Sequence, residues 1–354
     1  MSLTAPLSVL DLCPVPTGVT SSEALRRSVD LARHVERWGY QRFWVAEHHN
    51  MPGIASSAPA VLIGQLAAAT ETIRVGSGGV MLPNHAPLVV AEQFGMLEAL
   101  HPGRIDLGIG RAPGTDQVTA LALRRSVEAL SADDFPEQLG ALFDFFAGDL
   151  RGDPGFQRVR AIPAEGNQPA VWLLGSSGYS AQVAGILGLP FAFAHHFSSA
   201  NTEPALELYR RSFRPSAALD EPYCLIGVNV VCAEDAERAA WLHGSSRLSM
   251  LRHRTGRPST LPSPEEAADY PFTNADRAIV ASSTGSHVVG DPATVMADLT
   301  DLAARTGVDE LMVTTSTHYH ADRLRSYELL AEANRAGSDD STTPASLVAG
   351  STTG

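Results

Sequence analysis

The sequence predicts an α/β protein folded as one (β/α)8 barrel of the TIM type, with insertions after strand 4 and before strand 8. Three observations carry that expectation. Short apolar runs alternate with segments of helical period along most of the 354 residues. Several of those runs are apolar almost throughout, as parallel strands covered on both faces must be. The βα units follow one another with no obvious reversal, which favours a closed barrel over the alternative, an open doubly wound sheet.

Residues 7–12 form the first strand, stopped by Pro14 and Pro16. Ser21 or Ser22 can cap the next helix. There Leu25, Val29, Ala32, Val35 and Trp38 recur at helical spacing, and Gly39 closes it. The second strand, 42–46, runs into Glu47-His48-His49, and Met51-Pro52-Gly53 turn the chain. An alanine-rich helix (58–70) leads to a third strand (73–79) that ends in Gly76-Ser77-Gly78-Gly79. A helix over 87–100, stopped by His101-Pro102-Gly103, precedes the fourth strand, 105–110.

The period then breaks. Residues 115–168 are too long for one helix and a turn, and read as an insertion with helical pieces around 118–130 and 135–146. The fifth strand, 170–174, restores the pattern, and Gly175-Ser176-Ser177-Gly178 open a helix over 179–187. A sixth strand (191–194) ends in His195-His196. A helix over 204–213, a seventh strand over 223–231 and a helix over 236–252 follow. Residues 254–285 are polar and proline-bearing with no sustained apolar period, and a loop of that length reads as a mobile lid. Asp291-Pro292 start a helix through Ala303, 310–315 is the eighth strand, and 321–333 is the closing helix. One domain thus spans 1–336, and the Ser/Thr/Gly-rich stretch 337–354 is expected to be a disordered tail.

A formal net charge of −13 argues against nucleic acid as a partner, because phosphate binding needs clustered Lys and Arg. No basic amphipathic segment suggests a membrane surface. No run approaches the length of apolar residues that crosses a bilayer. Residues 1–6 lack the charged and apolar regions of a signal peptide. Cys13, Cys224 and Cys232 are odd in number and lack CxxC spacing, so they read as free thiols in a reducing cytoplasm. Cys13 stands at a strand end and could approach a site, although a small buried apolar residue explains it as well.

In a barrel the residues beyond each strand share one rim, and that rim is where active sites are built. Glu47-His48-His49, Gly76 to Gly79, Gly110-Arg111, Ser176 to Ser180, His195-His196 and His318-Tyr319-His320 would meet there. A Gly-Ser-Ser-Gly at a helix start offers free N–H groups and hydroxyls to a phosphate, or merely caps the helix. Arg111 could reach the same anion, or be a surface arginine. Gly76-Ser77-Gly78-Gly79 lets a flat ligand lie on bare backbone, or marks a bulge. Adjacent strand residues face opposite ways, so Glu47-His48-His49 suits a general acid or base better than a metal. A histidine paired structurally with Glu47 is the plainer alternative. Nothing local assigns a role to His195, His196, His318 or His320. Gly108-Ile109-Gly110 fails the dinucleotide fingerprint, because the next glycine is Gly114 and Pro113 stands where the helix should begin.

Taken together, Ala46-Glu47-His48-His49, the run from Val75 to Pro83 and the run from Gly103 to Arg111 resemble the bacterial luciferase-like flavin monooxygenases. The likeness runs from Leu7 to about Ala333 and is strongest before Gly114. The wording of 110–114 and 176–180 is most similar to the MsnO8-like branch. The resemblance implies a TIM-type barrel that binds reduced FMN at its C-terminal rim. By residue, it implies a catalytic role for His48, with His49 and Glu47 in support. Gly78 and Gly79 would lie against the flavin ring at a non-proline cis peptide. Arg111, Ser176, Ser177, Gly178, Tyr179 and Ser180 would surround the phosphate. Gly110 stands where luciferase has a reactive cysteine, which speaks against light emission.

The implied activity is a two-component monooxygenase. A separate flavin reductase supplies reduced FMN, dioxygen is the co-substrate, and a small organic molecule is oxygenated. A homodimer is expected, with no metal. Two alternatives stand beside it: hydride transfer with the deazaflavin coenzyme F420, and a non-catalytic flavin-binding subunit. The loops specify no substrate.

Overall fold

The computed structural model describes residues 3–112, 114–124, 134–148, 159–284 and 286–340. Eight parallel strands close a barrel: β1 (Leu7–Asp11), β2 (Arg42–Val45), β3 (Arg74–Met81), β4 (Ile105–Gly110), β5 (Ala170–Gly175), β6 (Phe191–Phe193), β7 (Cys224–Cys232) and β9 (Glu310–Thr314). Each pairs with the next in this order, β6 pairs with β7, β7 with β9, and β9 with β1. The closed TIM-type barrel expected from the alternating pattern is therefore what the chain forms.

The strands are mostly apolar because each has two buried faces, and the charged residues they carry, such as Arg42, Asp106 and Glu310, are paired with one another. On β2, Phe43 and Val45 pack outward into the core beneath the helices. Trp44, with Leu10, Trp172, Ala192, Leu225 and Met312, packs inward. At the strands' N-terminal end the barrel is plugged by charge. Arg42 donates from Nε to Glu310 Oε1 (2.7 Å) and from Nη1 to Asp106 Oδ2 (2.9 Å). Trp44 Nε1 adds a bond to Asp106 and Tyr223 Oη one to Glu310, each 2.9 Å. Buried ions persist only when paired and hydrogen-bonded in this way. With that end plugged and the middle filled, open space remains at the C-terminal end.

The helices form the outer ring. They are α1 (Ser21–Trp38), α2 (Pro59–Ala69), α3 (Pro87–Leu100), α4 (Gln117–Arg124), α5 (Phe135–Ala147), α6 (Gly178–Leu187), α7 (Thr202–Ser212), α8 (Ala236–Arg254), α9 (Pro264–Asp269), α10 (Asn274–Thr284), α11 (Pro292–Thr306) and α12 (His320–Asp340). Gly39 ends α1 at φ 87°, a conformation that favours glycine.

Several expectations need correction. The cap of α1 is Thr20, whose hydroxyl accepts from the Glu23 amide, and neither Ser21 nor Ser22. The glycine run does not end β3: the strand continues to Met81, with a register shift at Gly78–Val80. Residues 254–285 are not structureless. They carry α9 and α10, which pack on α8 through Ala267 and Val280. A further strand, β8 (Val288–Gly290), extends beside the end of β7. The closing helix continues to Asp340, so 337–340 are helical rather than tail. The rest of the expected tail, 341–354, and the insertion residues 125–133 and 149–158 lie outside the described residues.

Candidate functional site

A cavity of about 1050 Å³, counted to its open mouth, occupies the C-terminal end of the barrel. That volume suits a ligand the size of a nucleotide cofactor. Its floor is the apolar interior layer: Leu10, Trp44, Leu174, Leu225 and Met312. Glycines shape the wall by letting strands and side chains approach. A Cβ on Gly78 would stand 2.7 Å from Leu10 Cδ1, and one on Gly79 would stand 2.7 Å from the Gly108 carbonyl oxygen. The peptide between Gly78 and Gly79 is cis.

One end of the cavity is polar. Arg111, Ser176, Ser177 and Ser180 line it. Ser177 is the N-cap of α6 but makes no side-chain capping bond, so the first N–H groups of the helix stay available. Arg111 is exposed, and its guanidinium carbon sits 4.3 Å from the centroid of the Tyr179 ring. Among the described residues it has no acidic partner. Ser180 is buried beside Gly175, where a Cβ would come within 2.7 Å of Ser180 Cβ. A cation, hydroxyls and free helix amides at one end of an apolar cavity form a donor set for a phosphate, so the residues fit a flavin mononucleotide.

His48 lines the same cavity. Its Nδ1 lies 3.3 Å from the Gly114 carbonyl oxygen. A carbonyl only accepts, so Nδ1 carries the hydrogen and Nε2 is left as a base. Burial lowers the pKa of the ring, against the opposing pull of Gly114 and Glu47. The ring is thus neutral at pH 7, with the lone pair of Nε2 free to accept.

Glu47 does not hold His48. The carboxylate is fully buried and accepts from His49 Nε2 (2.8 Å), His85 Nε2 (2.9 Å) and the Met81 amide (3.0 Å). Burial alone would raise its pKa, but these bonds outweigh it and hold the group at about 2. The support expected from Glu47 and His49 is therefore indirect, and the side-chain contact of His48 is with the Gly114 carbonyl.

Of the anticipated residues, the structure brings His48, Gly78, Arg111, Ser176, Ser177 and Ser180 onto one cavity. Glu47, His49, Gly79, Gly178 and Tyr179 are not among the residues that line it. Tyr179 reaches the site through the ring beneath Arg111. Cys13 is buried against Val15 and Ala24, and burial pushes its thiol up to about 12. His195 meets Thr202 Oγ1 at 2.7 Å, His318 donates to the Leu261 carbonyl at 3.2 Å, and His320 meets Asp30 at 2.8 Å. His196 and Phe197 line the cavity, although nothing in their sequence context signalled a role. His85 was missed too. It arrives from the turn before α3, and no motif marks it. Among the described residues no group of three His, Cys, Asp or Glu side chains is arranged to hold a metal ion, and no helix is long and apolar enough to cross a membrane.

Comparison with known proteins points the same way. The family model described as luciferase-like monooxygenase matches residues 6–310. A luciferase-like monooxygenase of Escherichia coli K12 is 48% identical over 326 residues, covering 92% of this chain and 96% of that protein. The N-acetyl-S-alkylcysteine monooxygenase of Bacillus subtilis is 36% identical over 330 residues, covering 92% and 97%. The crystal structure of apo-MsnO8 superposes with a TM-score of 0.86 at 40% identity, covering 94% of this chain and 98% of that one.

Proposed function

The chain belongs to the luciferase-like monooxygenase family and is a monooxygenase of the flavin-dependent kind; from that premise we propose that it is the oxygenating component of a two-component system, using reduced FMN delivered by a separate reductase. The observation that carries the cofactor reading is the open N-terminus of α6 beside Arg111, which has no acidic partner among the described residues. Arg111 and the hydroxyls of Ser176, Ser177 and Ser180 would hold the phosphate, with Gly178 and Tyr179 supplying helix amides and a ring beneath the guanidinium. Gly78 and Gly79 would give the ring system a wall without side chains.

When bound, reduced FMN supplies the electrons that activate dioxygen, one atom of which enters the substrate while the other leaves as water. His48 accepts or returns a proton at Nε2, held in register by its Nδ1–H on Gly114. Glu47, clamped by His49 and His85, fixes the chain around it. Water must be kept out while oxygen reacts. The segment that includes Pro258 and Leu261 lies over the barrel mouth beside His48 and would serve as that shield.

We also propose a homodimer in the cytoplasm. Val61 on α2 and Val89, Met96 and Leu100 on neighbouring α3 are exposed apolar side chains on the outer ring. Anaerobic titration with reduced FMN and with coenzyme F420, followed by oxygen uptake with a flavin reductase, tests the cofactor reading. Binding of F420 without reduced FMN overturns it.

A further inference from the structure

A second cavity, about 1160 Å³ to its open mouth, lies beside the first. Leu12, His48, His196 and Phe197 line both, so the two share a wall. The outer chamber is completed by the turn after His49, by α8 at Ser249 and Met250, and by the chain at Leu261.

Charge separates the two. The inner cavity carries Arg111. Among the described residues no Lys, Arg, Asp or Glu lines the outer one. Its ionisable groups are imidazoles. Burial lowers His48, pushes His196 down to about 4 and pushes His287 down to about 3. His253 stands exposed at the rim. A charged molecule entering this chamber would lose its hydration and meet no counter-charge.

His196 is set as an acceptor. Its Nδ1 is 3.0 Å from the Gly227 carbonyl oxygen, which also accepts from the His196 amide at 2.9 Å. Nδ1 therefore bears the hydrogen, and Nε2 of the neutral ring keeps its lone pair. The seat is built for the ring: a Cβ on Gly227 would stand 2.6 Å from Nδ1, and the Phe197 ring packs at 4.1 Å between centroids. Nε2 has no protein partner among the described residues. An acceptor left free on the wall of a cavity is completed by a ligand or a water.

We propose that the outer chamber binds an uncharged organic substrate whose N–H or O–H donates to His196 Nε2, which holds it at the wall shared with the inner cavity. Its role as substrate rests on the monooxygenase reading above; the selectivity stands on the chamber itself. His196 is then a binding residue, distinct from the proton-handling His48.

The test is a matched series of probes followed by ligand-observed NMR, with and without FMN. Benzyl alcohol offers a donor, benzyl methyl ether none, benzoate a negative charge and benzylammonium a positive one. N-acetyl-S-methylcysteine, an anionic member of the class in the name of the 36%-identical relative, completes the series. Benzyl alcohol should bind, the ether roughly ten-fold more weakly, and the three ions below detection. His196→Phe should bring the alcohol down to the ether's affinity and leave the ether unchanged. Ser249→Trp, which fills only the outer chamber, should remove both. Should His196→Phe fail to fold, the His196 ring resonances of the unaltered protein must shift with benzyl alcohol. Ions binding as tightly as the alcohol, an alcohol that does not bind, or indifference to His196 would each overturn the proposal. FMN affinity measured on the same preparations keeps the two readings apart. Donor-dependent binding at His196 without FMN binding removes the flavin reading alone.

Discussion

The guanidinium carbon of Arg111 lies 4.3 Å from the centroid of the Tyr179 ring, which fixes a cation at the open start of α6. Losing a hydrogen bond to a charged group costs about 1.5–3 kcal/mol. Arg111→Ala should therefore weaken reduced-FMN binding roughly ten- to a hundred-fold in an anaerobic titration. Tyr179→Ala removes only the ring beneath the cation, about 0.5–1 kcal/mol, and should weaken binding a few-fold. Equal affinity in the arginine variant would remove the phosphate assignment.

His48→Asn should keep the fold and most of the FMN affinity while oxygenation falls by roughly 10²–10⁴-fold, the usual share of general acid–base catalysis. The contact that holds His48 is a carbonyl, and its carboxylate neighbour is engaged elsewhere. A purely structural role would show the reverse pattern: a lower thermal midpoint and normal single-turnover flavin oxidation.

Glu47 gives the acid limb of stability its sign. Its folded pKa, about 2, lies below the ordinary 4.5, so the folded state binds fewer protons than the unfolded chain at pH between these values. The stabilisation is complete above the unfolded pKa and is lost as pH falls from about 4.5 toward 2. Buried His196, at about 4 against an ordinary 6.5, acts in the same direction over a higher window, on the order of 3 kcal/mol. Thermal midpoints should decline from about pH 6.5 downward. Glu47→Gln should flatten the lower part of that decline and cost stability at pH 7. An unchanged acid limb in Glu47→Gln would show that the carboxylate does not govern it.

What the sequence made legible follows from periodicity. Strands with two buried faces, such as Phe43-Trp44-Val45, read as unbroken apolar runs, and Gly39 marks a helix end because only glycine takes its φ cheaply. The rim residues were legible as strand ends. Three features were not, for physical reasons. Strand β8 has only three residues and stands outside the alternation of βα units, pairing with the end of β7 alone. Helix α9 is polar and short, although Ser263-Pro264-Glu265-Glu266 is a start signal, and the Ser263 hydroxyl does accept from the Glu266 amide. The role of His196, unlike its place on the rim, depends on β6 closing onto β7 and on Gly227 making room for its ring, a relation between positions distant in the chain.

The exposed apolar side chains of α2 and α3 make the oligomer testable. Val61 is 75% and Leu100 67% exposed. If they meet a second copy, Leu100→Glu should halve the mass seen by light scattering without lowering FMN affinity. A native protein that is monomeric at micromolar concentration would end the dimer proposal.

The segment proposed as a shield is fastened at Leu261. Its amide donates to the Val15 carbonyl and its carbonyl accepts from the Thr17 amide, both at 2.9 Å, so the segment is tied to the loop between β1 and α1. The side chain is 5% exposed and faces the outer chamber. Leu261→Ala keeps both backbone bonds and removes wall volume. It should cost roughly 2–5 kcal/mol of stability, the range for a buried leucine, and leave the barrel folded. Water then gains entry beside His48, and a larger share of the oxygen consumed should appear as hydrogen peroxide instead of product. Peroxide and product quantified in the same reaction decide the matter. Coupling equal to that of the unaltered protein would mean that the segment, however closely fastened, does not keep the site dry.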